Sequence, residues 1–380
     1  MILLLSAAHP ADDMRVVRKQ GAALVAAGWT VTHLCPGPAG PPIAGVAIEV
    51  VGGTSRWRRW PGLYRRAVAL QPSVIHASEP DSWAVALLAG WRCGARVVLD
   101  VHEHYPSRLD SRLAAALRPP ARLAIRTAMR AMGWLADAVV LAKDGLVEDF
   151  PAGRPRVAVR NHALVPDGLP RKAHGPGPLT LLHLGAIGVK RGWPQLLAAL
   201  ALAPGDTRLL MIGRFTDGTE AAFRAQATAA GLLSRIELAG WMPAEAALAR
   251  AGAEADVNLV LFQPGEENHR LALPHKLFDG MALGLATITP SFAMAVANIV
   301  REAECGLLVD VTDPAAIAAA IAELREPSRR AALGEAGWRA ARGAWGWEAE
   351  AAKLVALYRE LLAAPRPAQP ALSEQVAKRL

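Results

Sequence analysis

Two stretches of the chain carry residues whose types and spacing could do chemistry. The first is His183-Leu184-Gly185-Ala186-Ile187-Gly188-Val189-Lys190-Arg191-Gly192. An apolar run ends in a glycine turn, then a lysine, then the start of a helical pattern. Glycines let backbone N–H groups approach an anion, and a helix N-terminus favours negative charge. Lys190 adds a point charge suited to a diphosphate. The pattern is neither G-x-x-x-x-G-K-[ST] nor G-x-G-x-x-G. Taken alone, it is better described as a plain strand–helix turn with a surface lysine.

The second stretch is Asn268–Ile288. A polar loop leads into Pro274 at a helix start, and Lys276 and Asp279 then lie three apart on one helical face. Gly284 ends that helix and a buried strand follows. A carboxylate there can accept two hydrogen bonds from a sugar cis-diol while the helix start faces phosphates. The plainer alternative is an ordinary Lys–Asp surface pair, worth little. In the first half, His102 and Glu103 follow one apolar run, and His9, Asp12 and Asp13 follow another. A lone histidine at a strand end serves structure as readily as chemistry. An Asp at such a place equally caps a helix.

The elements that must hold these residues are short Val/Leu/Ile runs alternating with helical patterns. The runs are Ile2–Ala7, Val31–Cys35, Val46–Val51, Val74–His76, Arg96–Val101, Ala138–Leu141 and Val157–Arg160, then Leu179–Leu184, Arg208–Gly213, Ile236–Ala239, Val257–Phe262, Ala286–Thr289 and Gly306–Val309. Continuous apolar strands separated by helices mean parallel sheets covered on both faces. The fold class is therefore α/β, with two doubly wound Rossmann-like domains facing each other across a cleft. Pro166–Pro178 reads as the linker, giving domains 1–172 and 173–343. A final helix, 344–362, is expected to brace the first domain, and 365–380 forms a tail. Ligands of such sheets bind at the carboxyl ends of the strands.

Composition narrows the class. The 380 residues are 52% hydrophobic and 20% charged, with three widely spaced cysteines. That excludes disordered and fibrous chains, and it predicts neither a disulfide framework nor a Cys-x-x-Cys metal site. A reducing, cytoplasmic setting is expected. No stretch approaches the roughly 20 apolar residues of a membrane span. Met1–Ala8 is too short and lacks the basic flank of a signal peptide, so it reads as a buried first strand. The net charge is +8, and residues 1–175 hold 22 Lys+Arg against 13 Asp+Glu. The basic half should face something anionic.

Together the pieces resemble the retaining, nucleotide-sugar-dependent glycosyltransferases of family 4, which have the GT-B fold. The resemblance runs through nearly the whole chain in order. Gly185–Gly192 looks like the family's glycine/Lys-Gly phosphate loop, and Ile212-Gly213 and Ile236–Trp241 look like its next two strand ends. Asn268–Ile288 is similar to the "N…P-x-K-x-F-E-x-M-x-x-G-x-P" donor stretch. Gly306–Val309 with Asp313-Pro314 resembles the segment after it. Asp100-Val101-His102-Glu103, Ala136–Val140 and Val159–Asn161 resemble pieces of the first domain.

The resemblance implies roles. Lys190 would hold the donor diphosphate, helped by Gly185, Gly188, Gly213 and Arg214, and Asp279 would take the place of the ribose-binding glutamate. Asn268, Pro274 and Lys276 would line the donor site, and His102 would sit by the sugar and leaving group. His9, Asp12, Asp13 and Glu103 would meet the acceptor, a glycan or a lipid-linked hydroxyl compound. No cofactor and no metal are expected, because protein cations serve the diphosphate. Three departures stand out. Ala186 stands where an arginine is common, with Arg191 or Arg214 as replacements. Leu271 stands where the first of the family's paired glutamates falls, and the second is the shorter Asp279.

On the acceptor side, Arg58, Arg59, Arg65 and Arg66 mix with Trp57, Trp60 and Tyr64, and Arg118, Arg122, Arg126 and Arg130 recur every four residues. Such pairings suit an anionic bilayer or a lipid diphosphate, giving a peripheral membrane contact. The plainer reading is a solvated face. Other functions considered are a catalytically weakened sugar-nucleotide-binding subunit and a nucleotide-sugar epimerase. A nicotinamide oxidoreductase lacks its glycine fingerprint, and no nucleic-acid reading module is present.

Overall fold

The structure is a computed structural model that describes residues 1–166 and 168–364. It divides into two compact units, Met1–Val159 together with the stretch from Ala351 onward, and Arg160–Glu350. The anticipated tail 365–380 lies outside the described residues.

The first unit is built on β1 (Ile2–Leu5), β2 (Val31–Cys35), β3 (Ala47–Val50), β4 (Val74–Ala77), β5 (Arg96–Val101), β6 (Ala138–Leu141) and β7 (Arg156–Ala158), in the order β3-β2-β1-β4-β5-β6-β7. The second is built on β8 (Thr180–Leu184), β9 (Arg208–Ile212), β10 (Ile236–Gly240), β11 (Val257–Leu259), β12 (Ala286–Pro290) and β13 (Gly306–Val309), in the order β10-β9-β8-β11-β12-β13. Every pairing is parallel. Central strands are apolar throughout because helices cover both faces: Ile2, Leu3, Leu4 and Leu5 are all buried, as a doubly wound sheet requires. In each unit the strand order reverses beside the first strand, between β1 and β4 and between β8 and β11, which places a crevice at those carboxyl ends.

The boundary between units falls at residue 159/160, not near 172. The stretch from Arg160 into the anticipated linker is bonded within the second unit. Arg160 N–H donates to Glu350 (2.8 Å), Ala163 exchanges backbone bonds with Trp345 (2.9 Å) and Trp347 (2.7 Å), and Lys172 N–H donates to Leu283 (2.9 Å). Proline and glycine mark irregular backbone there, and irregular backbone can still be packed. The last described helix is Trp347–Ala363 rather than 344–362. From Ala351 it belongs to the first unit, where Leu354, Leu357, Tyr358 and Leu361 are buried. The Tyr358 hydroxyl lies 2.7 Å from His76 Nδ1. Among the described residues no helix is long and apolar enough to cross a membrane.

Candidate functional site

In the second unit the loop after β8 is held between its neighbours by two glycines. Gly213, the first residue past β9, has φ 153°, and a Cβ there would lie 1.8 Å from the Gly185 carbonyl oxygen. Gly192 has φ 85°, and a Cβ there would lie 2.2 Å from the Leu261 carbonyl oxygen, just beyond β11. Gln263 N–H donates to the Lys190 carbonyl (3.0 Å). Only residues without a side chain allow this approach, in a backbone region that L side chains rarely adopt. The loop therefore sits at the crevice where the strand order reverses.

Charge is concentrated there. Lys190 pairs with Glu266, whose Oε2 is 3.7 Å from His269 Nε2. His269 Nδ1 is 2.6 Å from the Gln263 carbonyl, so neutral His269 carries its proton on Nδ1. Burial pushes the Lys276 ammonium down to about 7, with Arg191 adding to the effect and Asp279 opposing it. Burial likewise lowers Arg191, opposed by Glu266. His183 is pushed down to about 3 by burial, with Lys276 contributing. Lys276 and Asp279 are thus more than an exposed surface pair: both are half-buried on the helix His275–Leu283, whose N-cap is Pro274. Asn258 on β11, which sequence reasoning missed, donates to the Lys276 carbonyl (2.9 Å) and holds that first turn. Asn268 is half-buried on the short helix Glu267–Arg270.

Two positions of this loop have partners within the chain. Arg191, not Arg214, is the arginine in electrostatic reach of Lys276 and Glu266. The Arg214 side chain is exposed, and its carbonyl accepts from Ile187 N–H (2.9 Å). Gly188 makes room for a carboxylate of the chain itself. Asp217 Oδ2 accepts from Val189 N–H at 2.7 Å, and a Cβ on Gly188 would lie 2.7 Å from that oxygen. The sequence pattern could not show which anion the glycine admits.

In the first unit the loops after β1, β4 and β5 carry a buried polar network. Asp100, fully buried, accepts from Arg15 Nη2 (2.8 Å) and Nε (3.1 Å), from Gln20 (2.9 Å) and from His102 Nε2 (2.8 Å). His76 Nε2 lies 3.4 Å from the same carboxylate. Burial would raise the Asp100 carboxyl, but Arg15 and His102 hold it well below the usual carboxylate range. His102 is lowered, chiefly by burial, against the pull of Asp100. Its ring meets His9 edge to face at 4.9 Å between centroids. His9 Nδ1 is 2.8 Å from Asp13 Oδ2. Burial alone would lower His9, yet Asp13 holds it above its ordinary value.

Asp13 also caps the helix that starts at Met14, accepting from Arg15 and Val16 N–H, so the capping role is filled. Glu79, after β4, binds the loop after β1 through Ser6 Oγ (2.8 Å), Ala7 N–H and Ala8 N–H (2.9 Å). Asp12 is exposed, and Glu103 pairs with Arg108 at the surface. Arg15, Gln20, His76 and Glu79 were not singled out from the sequence. The one signal was local: Glu79-Pro80-Asp81-Ser82 reads as a capped helix start.

The basic stretches are partly neutralised within the chain. Arg66 pairs with Glu49, Arg122 with Asp110 and Arg126 with Asp149. Arg58 bonds Thr54, Arg59 bonds the Gly53 and Ala7 carbonyls, and Arg65 bonds the Pro61 carbonyl. A hollow of about 440 Å³ is lined by Arg118, Arg122, Arg126, Ala115, Pro119 and Leu123. Among the described residues no group of three or more His, Cys, Asp or Glu side chains is placed to hold a metal ion.

Comparisons with known proteins address the chain as a whole. Residues 14–168 match the family model of the glycosyl transferase 4-like domain, and residues 178–326 match that of the glycosyl transferases group 1. No curated protein matches the sequence. Among solved structures, Anabaena HepE in complex with UDP superposes with a TM-score of 0.68 at 13% identity, over 94% of this chain and 99% of that one. Sucrose-phosphate synthase from Thermosynechococcus elongatus superposes with a TM-score of 0.68 at 21% identity, over 96% and 100%. A glycosyltransferase from Rickettsia africae gives 0.69 at 15%, over 96% and 99%. Two parallel Rossmann-like sheets and two family matches that together span most of the sequence lead to one conclusion: the chain belongs to the family 4, group 1 glycosyltransferases and has the GT-B fold.

Proposed function

We infer that this glycosyltransferase moves a sugar from a nucleoside-diphosphate sugar to a hydroxyl acceptor with retention of anomeric configuration. The observation that carries the donor reading is the group of Lys190, Arg191 and Lys276 at the crevice between β8 and β11, with Asp279 beside Lys276. A diphosphate needs cations and backbone donors at a strand end, and a pentose diol needs a nearby carboxylate. The ligands of structural neighbours, UDP and UDP-glucose in Anabaena HepE, agree with that chemistry.

In the proposed reaction the bond between the anomeric carbon and the donor phosphate oxygen breaks. Charge develops on the departing diphosphate, where Lys190, Arg191 and Lys276 stabilise it. The acceptor hydroxyl attacks from the same face and gives its proton to the leaving phosphate, so no separate protein base is required. His102 is the proposed contact to the transferred sugar. With Nε2 turned to Asp100, its other nitrogen, Nδ1, is the one left to exchange or share a proton. No resident metal or cofactor enters this scheme.

A thermal-shift panel of nucleoside diphosphates and their sugars tests it. One base should raise the melting temperature well above the others, and Lys190→Ala should abolish that rise. A panel in which nothing shifts the wild type would remove the donor reading. For the acceptor we propose a lipid-linked or glycan hydroxyl, met by the first unit. Exposed Leu117 and Leu123 beside Arg118 and Arg122, with exposed Trp134 and Leu135 at the far end of the helix Arg118–Leu135, support contact with an anionic bilayer. Sedimentation with anionic vesicles that is unchanged by replacing Arg118 and Arg122 with Glu would retire that contact.

A further inference from the structure

The loop after β8 meets two carboxylates of its own chain, and they are held in different ways. Asp217 is built in: Val189 N–H, Thr219 N–H (3.2 Å) and the Thr219 hydroxyl (2.6 Å) all donate to it. Glu266 is held by side chains alone. Its carboxylate takes Lys190 at the surface and stands 3.7 Å from His269 Nε2, and among the described residues it caps no backbone N–H of the helix it precedes. Lys190 is 62% exposed and Glu266 36%, so the pair is screened by water and worth little. The groups around the Glu266 carboxylate are Lys190 and Arg191 from the loop after β8 and His269 from the segment after β11. Lys190 and Arg191 are two of the three cations the donor reading assigns to a diphosphate.

We propose that Glu266 is a displaceable counter-ion: it pairs with Lys190 in the ligand's place, and a donor diphosphate must push it aside to bind. The inference rests on the donor reading above and adds a residue that sets the threshold for occupancy. A weak internal carboxylate is outcompeted by a ligand that brings two or more negative charges on adjacent phosphates. A singly charged anion gains little by exchanging with it. Glu266 thereby selects diphosphates over monoanions without touching base or sugar. It also keeps a solvent-facing ammonium paired, which lowers the attraction of this face for unrelated anions.

Equilibrium binding of inorganic pyrophosphate, UDP and GDP to the full chain tests this, using wild type, Glu266→Gln, Lys190→Ala and the double variant. Pyrophosphate reports the charge requirement without the base. Glu266→Gln should tighten binding of pyrophosphate and of the preferred nucleotide by roughly three- to ten-fold at low salt. The gain should shrink in 0.5 M salt, because a surface charge is screened there (Debye length about 3–10 Å between 1 and 0.1 M). Lys190→Ala should weaken binding, and in that background Glu266→Gln should give a smaller gain, the signature of direct coupling. If Lys190→Ala weakens binding while Glu266→Gln leaves it unchanged or weaker, the counter-ion role is wrong and the donor site stands. If none of the three probes binds the wild type, the donor reading itself fails, and this inference with it.

Discussion

His102 Nε2 lies 2.8 Å from Asp100 Oδ2, on a carboxylate that also takes both an Arg15 pair and the Gln20 amide. A buried carboxylate with that many donors stays ionised and orients the imidazole bound to it. The two residues differ in what they should do when changed. Asp100→Asn leaves Arg15 buried without its counter-charge, and breaking such a pair costs about 3–5 kcal/mol. A large drop in melting temperature is the expected outcome. His102→Ala removes one donor from a carboxylate that keeps Arg15 and Gln20, so it should cost less, about 1–3 kcal/mol, and it should lower the transfer rate by on the order of 10²-fold, with nucleotide affinity unchanged. A His102→Ala enzyme that transfers at the wild-type rate would remove His102 from the chemistry.

Lys276 gives a pH signature. Its ammonium is pushed down to about 7 in the folded chain, below the ordinary lysine value, so between that pH and the lysine range the unfolded chain holds the extra proton. Stability therefore rises with pH across that window, and the penalty is fully present below it. A bound diphosphate reverses the effect by favouring the charged amine. Binding at pH 8 should take up a proton, seen as a calorimetric enthalpy that changes with the buffer's ionisation heat. In Lys276→Met that proton uptake should vanish and affinity should fall. An uptake that persists in the variant would assign the proton to another group.

Asp100 and Asp13 set the acid limit of the first unit. Both are held well below the usual carboxylate range against the effect of burial, Asp100 by Arg15 and His102 and Asp13 by His9. A depressed carboxyl contributes stability that is complete above its unfolded pKa, about 4, and is lost as pH falls through the folded value. Melting temperature should hold down to about pH 4 and fall steeply below it. In Asp13→Asn the fall should be shallower, with a lower plateau. An acid limb unchanged by that substitution would show that other carboxylates set it.

Gly213 should be intolerant of any side chain. With a Cβ 1.8 Å from the Gly185 oxygen and φ at 153°, Gly213→Ala must push apart the ends of β8 and β9. Overpacking of this kind costs about 1–3 kcal/mol, and diphosphate binding should weaken with it. Gly205→Ala, where nothing lies within 4 Å, is the matched control and should be silent.

Much of the fold was legible in the sequence because parallel strands buried on both faces are apolar without interruption. Val31–Cys35, Arg96–Val101, Ala138–Leu141 and Gly306–Val309 stand where their composition puts them. The unit boundary was not legible, since Pro166–Pro178 looks like a tether until its bonds to Leu283, Gly284 and Arg330 show it packed. The candidate site was legible where a motif is local, as in Gly185–Gly192 and Pro274–Asp279. It was not where partners are distant in sequence. Arg15 reaches Asp100 across 85 residues, and Tyr358 reaches His76 across 282. No spacing rule connects such pairs. Glu266 was invisible for the opposite reason: an acidic loop residue looks like solvated surface until the lysine beside it is located.

The central claim is that Lys190 and Lys276 together hold a nucleoside diphosphate at the strand ends of the second unit. Calorimetric titration of the best-stabilising nucleoside diphosphate into wild type, Lys190→Ala and Lys276→Met measures it directly. The account predicts saturable one-to-one binding to the wild type and at least a ten-fold loss in each variant, about 1.4 kcal/mol or more. Equal affinity in all three proteins would contradict it.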